Sequence, residues 1–154
     1  MAVSPIPEGY PRVSPYLCCG GAADAIEFYK DVFAATERMR MPGDATDNVG
    51  HAEIEIGDSI VMLADEFPDH GFRSPKTIGG SPVHVMVYVD DVDAVFARAL
   101  ELGATETRPV EDQFYGDRLG QFEDPWGHRW SVATHVEDVS EEEMAKRAAE
   151  YDGT

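Results

Sequence analysis

The sequence predicts an α+β fold made of two copies of one βαβββ module, followed by a short C-terminal helix. Residues 83–135 read as a strand, a helix and three further strands, because apolar residues alternate in the strand segments and recur at helical spacing between them. A shift of 69 residues places Asp24-Ala25 on Asp93-Ala94, and two other motifs repeat at nearly the same offset. A constant offset indicates an internal repeat. We therefore expect residues 12–65 to form a first, equivalent module.

The first module contains one amphipathic helix between short strands. Gly20-Gly21 separates the first strand from the helix, and Gly57-Asp58 is typical of a hairpin turn. Alternating and helical apolar spacings predict strands at 12–19, 36–41, 51–56 and 59–63, and a helix at 22–33.

The segments outside the modules have different compositions. Residues 66–82 are rich in proline and glycine without periodicity, so we expect a linker that is either a flap over a site or a crossover. The last strand is predicted at 128–135. Ser140 starts a capping-box pattern, which predicts a surface helix over 140–151. By length, residues 1–154 are expected to form a single domain.

Composition restricts the classes of partner. Thirty acidic residues against twelve basic ones give a formal charge of −18, which disfavours nucleic acid and anionic membranes. The charge is typical of a solvated acidic surface that favours solubility, with selection of a cationic ligand as the alternative. The sequence has no apolar run of about 20 residues and no signal-peptide pattern, so we expect a soluble, cytoplasmic protein. The adjacent Cys18 and Cys19 favour buried thiols over a redox pair.

Several motifs carry a resemblance to a known family. Ala25-Ile-Glu-Phe-Tyr29 in the first helix and Asp124-Pro-Trp-Gly-His128 at the last turn resemble the vicinal oxygen chelate superfamily of glyoxalase I, bleomycin-resistance proteins and extradiol dioxygenases. Ser14-Pro-Tyr-Leu17, Gln113-Phe-Tyr-Gly-Asp-Arg118 and the segment 130–140 resemble its PhnB-like, glyoxalase-like branch. Covering residues from about 12 to 145, the resemblance implies a cupped eight-stranded mixed sheet, a ligand cavity inside the cup and a homodimer.

Metal-dependent members of that superfamily hold a divalent ion on the first and last strands of each repeat. In this sequence the resemblance places those positions at Ser14, Met62, His84 and Ser131. Only His84 is a competent ligand, because a hydroxyl or thioether does not replace His or Glu on a catalytic divalent ion. We therefore expect no metal cofactor at the usual positions, although a non-standard divalent metal site stays open.

A second group of polar residues alternates on one predicted strand. His51, Glu53 and Glu55 would share one face of that strand, and Ala52 and Ile54 the other. Because metal ligands usually come from several elements, we interpret this polar face as solvated.

Most ligand-binding candidates follow from strand parity with the four ligand positions, whereas Tyr115 and Arg118 come from the start of a predicted inner strand. Their side chains would make the cup aromatic and sulfur-containing, which suits a small organic ligand, with a plain core as the alternative. The candidates are Tyr16, Met62, His84, Met86, Tyr88, Tyr115, Arg118, Ser131 and His135.

Two of these candidates could do chemistry. His84 could act as a general base near neutral pH, or it could be a hydrogen-bonded core residue. Arg118 could clamp an anionic substrate, or it could form a structural salt bridge to Asp117 or Asp112. Trp130 is expected to pack under the helices and to take no part in chemistry, and His128 is expected on the surface of the last hairpin.

The sequence is compatible with three functions. The first is metal-free binding of a small organic molecule in the sheet cup, including sequestration of an antibiotic or toxic metabolite. The second is a lyase, isomerase or dioxygenase-type enzyme that uses His84 and Arg118 with a non-standard metal site. The third is a structural or partner-binding role of the Glu-rich C-terminal helix.

Overall fold

The computed structural model describes residues 2–151 and divides into two compact units. The first unit contains the chain up to Pro82 together with the turn Trp126–His128, and the second contains Val83–Pro125 and the residues from Arg129 onward. No helix of the described chain is long and apolar enough to cross a bilayer.

Each unit is one βαβββ module. The first contains β1 (Tyr16–Cys18), α1 (Ala22–Phe33), β2 (Thr36–Pro42), β3 (Val49–Ile56) and β4 (Ser59–Ala64), followed by the 3₁₀ turn Pro68–His70 and α2 (Pro75–Ile78). The second contains β5 (His84–Tyr88), α3 (Val92–Glu101), β6 (Thr105–Asp112), β7 (Asp117–Glu123) and β8 (Arg129–His135), followed by α4 (Glu141–Glu150).

The internal repeat is visible in the strand order. The first sheet runs β1-β4-β3-β2 and the second β5-β8-β7-β6, so the two modules have the same topology. In each sheet the first strand lies parallel to the last strand of its module, and the other pairs are antiparallel. The predicted α+β fold of two βαβββ modules with a short C-terminal helix is confirmed.

Helix α1 supplies much of the apolar core of the first unit. Its buried stripe includes Ile26, Tyr29 and Phe33, at the spacing that places side chains on one helix face. The buried apolar residues of β3 include Ala52 and Ile54, and those of β4 include Val61 and Leu63. Because side chains alternate along a strand, the face opposite these residues carries His51, Glu53 and Met62, and we call it the open face of the first sheet.

The second unit repeats this arrangement. Phe96 of α3 packs edge-on against Phe122 of β7 at 5.9 Å between ring centroids. Trp130 is fully buried on β8 and donates a hydrogen bond from Nε1 to Oδ2 of Asp124. Helix α4 has no buried residue, as expected for a surface helix, and its N-cap Ser140 accepts a hydrogen bond from the amide of Glu143.

Two local predictions were wrong, for the first strand and for His128. The first strand begins at Tyr16 because Pro15 has no N–H and contributes only its carbonyl, which accepts a hydrogen bond from Met62. The predicted linker contains two short helical segments, each with a proline in its first turn, which the sequence did not indicate. His128 is half-buried, and its Nε2 lies 2.8 Å from the carbonyl oxygen of Cys18.

Candidate functional site

The first unit contains a cavity of about 380 Å³ with mainly aromatic walls. Phe67 and Phe72 form an isolated antiparallel bridge around the turn that follows β4, and this bridge fixes the loop as a wall. The ring of Phe72 meets the ring of Tyr16 edge-on at 5.5 Å. The lining residues are Tyr16, Gly50, Ala64, Phe67, His70 and Phe72. A cavity of this size and lining suits a small, planar organic molecule.

A chain of hydrogen bonds starts at the wall of this cavity. The hydroxyl of Tyr16 lies 2.7 Å from Nδ1 of His51, and Nε2 of His51 lies 3.1 Å from Oε1 of Glu53. Tyr10, from the N-terminal arm, donates its hydroxyl proton to Oε2 of Glu53 at 2.8 Å. We call Tyr16, His51 and Glu53 the Tyr–His–Glu chain.

Strand register explains why the chain forms. Tyr16 pairs with Met62 across β1 and β4, and Met62 pairs with Glu53 across β4 and β3. Residues in register point to the same face of a sheet, and His51 is two residues from Glu53 on β3. The local geometry therefore places all three side chains on the open face.

Glu53 is only 4% exposed, so the interpretation of this polar face as solvated was wrong for Glu53, whereas His51 and Glu55 are half-buried. Burial acts to raise the pKa of Glu53, but hydrogen bonds from His51 and Tyr10, aided by the charge of Arg38, hold it below its usual range. The carboxylate is therefore ionised and accepts from Nε2–H of His51, which leaves Nδ1 of the neutral ring as an acceptor. Burial, with a contribution from Glu53, raises the pKa of Tyr16, so the phenol keeps its proton.

The second unit places His84 beside Ser131 on neighbouring strands. Nδ1 of His84 lies 3.4 Å from Oγ of Ser131, and Gln121 donates to the same oxygen at 3.1 Å. Ser131 is buried, whereas His84 and Met86 are exposed along β5. Ser131 and Gln121 thus form a small polar cluster beside His84, the predicted general base.

Three other predicted residues gather around Asp117, which is buried at the start of β7. Tyr88 donates its hydroxyl proton to Oδ2 of Asp117 at 2.7 Å, and Nδ1 of His135 lies 2.8 Å from Oδ1. Nε2 of His135 lies 2.8 Å from Asp138. Tyr115 is half-buried nearby in sequence, and burial together with the charge of Asp117 raises its pKa.

Arg118 is occupied by two carboxylates. Its guanidinium donates two hydrogen bonds to Asp93, at 2.8 and 2.9 Å, and a third to Asp112 at 3.1 Å. These bonds to Asp93 and Asp112 raise the pKa of Arg118 further above its already high value. The geometry matches the salt-bridge alternative to Asp112, and Asp93 is an additional partner that the sequence did not indicate.

The donors at the family's metal positions do not fit a divalent ion. Within the first unit, Ser14 and Met62 offer a hydroxyl and a thioether, and within the second, His84 and Ser131 offer one imidazole and a hydroxyl. Among residues 2–151, no three His, Cys, Asp or Glu side chains converge as a metal-binding group. The residues present therefore do not support the metal site of the family.

Sequence reasoning missed most of the cavity wall. Phe67, His70 and Phe72 belong to the predicted linker, where only the expectation of a flap pointed to them. The alternation of His51 and Glu53 was the visible signal of the Tyr–His–Glu chain.

Comparison with known proteins assigns the family. The sequence model described as "Glyoxalase/Bleomycin resistance protein/Dioxygenase superfamily" matches residues 12–132. The uncharacterized protein Mb0911c of Mycobacterium bovis is 42% identical over 147 residues, which cover 93% of this chain and 96% of the relative.

Two solved structures have the same fold. TioX from Micromonospora sp. ML1 superposes with a TM-score of 0.62 at 25% identity, covering 84% of this chain and 100% of TioX. A PhnB protein from Bacillus cereus, described as a putative 3-demethylubiquinone-9 3-methyltransferase, shares the fold with a TM-score of 0.64 at 18% identity, covering 80% and 99% of the two chains. With the family match and the repeated βαβββ topology, the chain belongs to the glyoxalase/bleomycin resistance/dioxygenase superfamily.

Proposed function

We propose that this protein binds a small, planar organic molecule in the aromatic cavity of its first unit, without a metal ion. The observation that carries the proposal is the cavity itself, walled by Tyr16, Phe67 and Phe72 beside the Tyr–His–Glu chain. Aromatic walls favour stacking, and the polar chain offers directional hydrogen bonds at one point. Sequestration of an antibiotic or toxic metabolite is the biological role that such binding would serve.

Charge restricts the ligand further. The formal charge of −18 attracts cations to the protein, so we expect a neutral or cationic ligand to bind better than an anion of the same shape. The comparison of benzamidine with benzoate, two planar molecules of similar size and opposite charge, tests this preference. A tighter complex with benzoate would contradict it.

The binding experiment uses protein treated with a chelator and then dialysed. Saturation-transfer NMR and thermal shift would be recorded with indole, benzamidine, para-nitrophenol and nitrobenzisoxazole, because a ligand of the native state raises the unfolding midpoint. Loss of the aromatic contact in Phe72→Ala should weaken a cavity-bound probe about tenfold. Phe114→Ala, which removes a half-buried aromatic residue of the second unit, is the matched control.

Two results would overturn the proposal. One is the absence of saturable binding by any of the four probes, and the other is binding that depends on Phe114 and ignores Phe72. Binding that appears only after a divalent metal is added back would contradict the proposal that the ligand binds without a metal ion.

An enzyme that uses His84 and Arg118 is the second candidate. His84 contacts Ser131 and is exposed, which suits a general base. Arg118 favours this candidate less, because Asp93 and Asp112 already occupy its donors. We therefore prefer ligand binding in the aromatic cavity to this enzyme as the proposed function.

The homodimer implied by the family is also a proposal. β5 is an edge strand of the second sheet and exposes Met86 and Tyr88, which a second copy could cover. Light scattering coupled to size exclusion should give the mass of two chains, and Met86→Lys should shift it toward one. A single-chain mass for the unmodified protein would contradict the proposal.

A further inference from the structure

We infer that the Tyr–His–Glu chain removes a proton from a weakly acidic planar molecule held in the aromatic cavity, so that the site is a general base as well as a binding site. The inference rests on the binding proposed above and adds a reaction to it. It is supported by the hydrogen bonds that link the three side chains on one face of the sheet. This chain ends at Tyr16, in the wall of the cavity.

Each atom in the chain has a compatible role. Glu53 is buried and ionised, so it accepts from Nε2–H of His51 and stabilises the positive charge that a second proton would bring. Nδ1 of His51 then accepts the hydroxyl proton of Tyr16 at 2.7 Å. Tyr10 donates to the other oxygen of Glu53, which holds the carboxylate in place. The arrangement of donor, imidazole and carboxylate is that of a hydrogen-bonded base oriented by a third group.

The proton transfer balances without a co-reactant. A C–H or O–H bond of the ligand breaks, and its proton bonds to Oη of Tyr16 as the phenolic proton moves to Nδ1 of His51. The electron pair of the broken bond stays on the ligand, which becomes an anion or expels a leaving group. His51 becomes a cation next to the Glu53 carboxylate and later returns its proton to water.

The placement of Tyr16 explains how the ligand reaches the base. Its ring lines the cavity and contacts both the ring of Phe72 and the ring of His51, each at 5.5 Å between centroids. His51 is not among the lining residues, so the phenol is the member of the chain that borders the ligand. The cavity therefore selects a flat molecule whose acidic proton lies at its edge.

Nitrobenzisoxazole is a suitable probe because removal of its ring C–H proton breaks the N–O bond and releases a coloured cyanophenolate. Its binding is measured by saturation-transfer NMR and its ring opening by absorbance. We expect His51→Gln to lower the first-order rate of the bound probe by roughly 10²-fold, within the range typical of general bases. Binding should change less than about twofold, because His51 does not line the cavity.

Matched variants separate chemistry from structure. Glu53→Gln and Tyr16→Phe should also lower the rate, whereas Glu55→Gln, two residues along the same strand, should leave it unchanged.

If the variants fail to fold, nitrogen-15 NMR of the His51 imidazole in the unmodified protein still tests the relay. In the unmodified protein Nε2 of His51 should carry the proton and Nδ1 should be an acceptor, and a protonated Nδ1 with a bare Nε2 in the neutral ring would overturn the relay. A probe that binds but opens at the same rate in His51→Gln would overturn the relay and leave the proposed binding intact. A probe that does not bind would remove both.

Discussion

The carboxylate of Asp65 accepts a hydrogen bond at 2.7 Å from the backbone amide of Val49, the first residue of β3. Its other oxygen accepts from the amides of Gly21 and Ala22, where α1 begins. One buried carboxylate thus replaces the local side-chain cap that α1 lacks and ties the helix to the end of β4.

The Asp65→Ala variant should be strongly destabilised. It removes three hydrogen bonds to a charged group and leaves amides without an acceptor, so we expect the free energy of unfolding to fall by about 3 kcal/mol. Urea unfolding measures the change. Asp44→Ala, at an exposed loop position, should fall within about 0.5 kcal/mol of the unmodified protein. Equal losses in the two variants would show that Asp65 does not act as the cap.

Gly116 and Gly57 form a matched pair for backbone strain. Both adopt positive φ, at 102° and 58°, but a Cβ on Gly116 would overlap the carbonyl oxygen of Glu137, whereas one on Gly57 meets nothing within 4 Å. Gly57→Ala should cost about 1 kcal/mol from conformation alone. Gly116→Ala should cost roughly 3 kcal/mol or more, because steric overlap is added. Thermal unfolding of both variants measures the difference, and similar losses would contradict the overlap argument.

Arg118 should stabilise the second unit only weakly and take no part in ligand binding. Its side chain is 33% exposed and its partners Asp93 and Asp112 are more exposed, so solvent screens the ion pairs. Arg118→Met should lower the unfolding midpoint slightly at low salt, and the difference should shrink at high salt. Arg98→Met, which removes an exposed helix pair with Glu101, is the control. Weakened probe binding with an unchanged midpoint would restore the anion-clamp interpretation.

His135 should make the stability of the second unit depend on pH. Hydrogen bonds to Asp138 and then to Asp117 raise the pKa of His135 above its usual range. A raised folded-state pKa gives stability that is complete below the unfolded value of about 6.5 and is lost as pH rises through the folded value. Urea unfolding over this range should show the loss in the unmodified protein and in the control His70→Gln. The loss of stability should be smaller in His135→Gln. If that variant loses stability with pH as steeply as the unmodified protein, His135 is not the cause.

The limits of sequence prediction are clear from two neighbouring features. Helix α1 was predicted at its observed bounds, because Ile26, Tyr29 and Phe33 fall at a local, periodic spacing. The Tyr–His–Glu chain was not predicted, although the alternation that puts His51 and Glu53 on one face was. Their burial depends on distant segments of the chain, namely the register of β1 with β4 and the arm that carries Tyr10. No local pattern encodes such contacts.

Arg118 illustrates the same limit for charged residues. The sequence offered Asp112 as a neighbouring partner, but Asp93 lies on a helix 25 residues earlier and approaches only after α3 packs on the sheet. The number of carboxylates around an arginine decides whether it is free to hold a ligand. That number is a property of tertiary packing and does not follow from spacing.

Cys18 should be an unreactive thiol in the folded protein. Burial, with the charges of Glu66 and Asp65, raises the pKa of Cys18 to about 11. At neutral pH only about one molecule in ten thousand carries the thiolate, which is the reactive form, so labelling by Ellman's reagent should be slowed roughly a few hundredfold relative to an exposed cysteine. Stopped-flow labelling of Cys19→Ala, with and without urea, isolates this thiol. Rapid labelling of the native protein would mean that β1 opens locally, since ionisation and access both require Cys18 to leave its buried position beside β4.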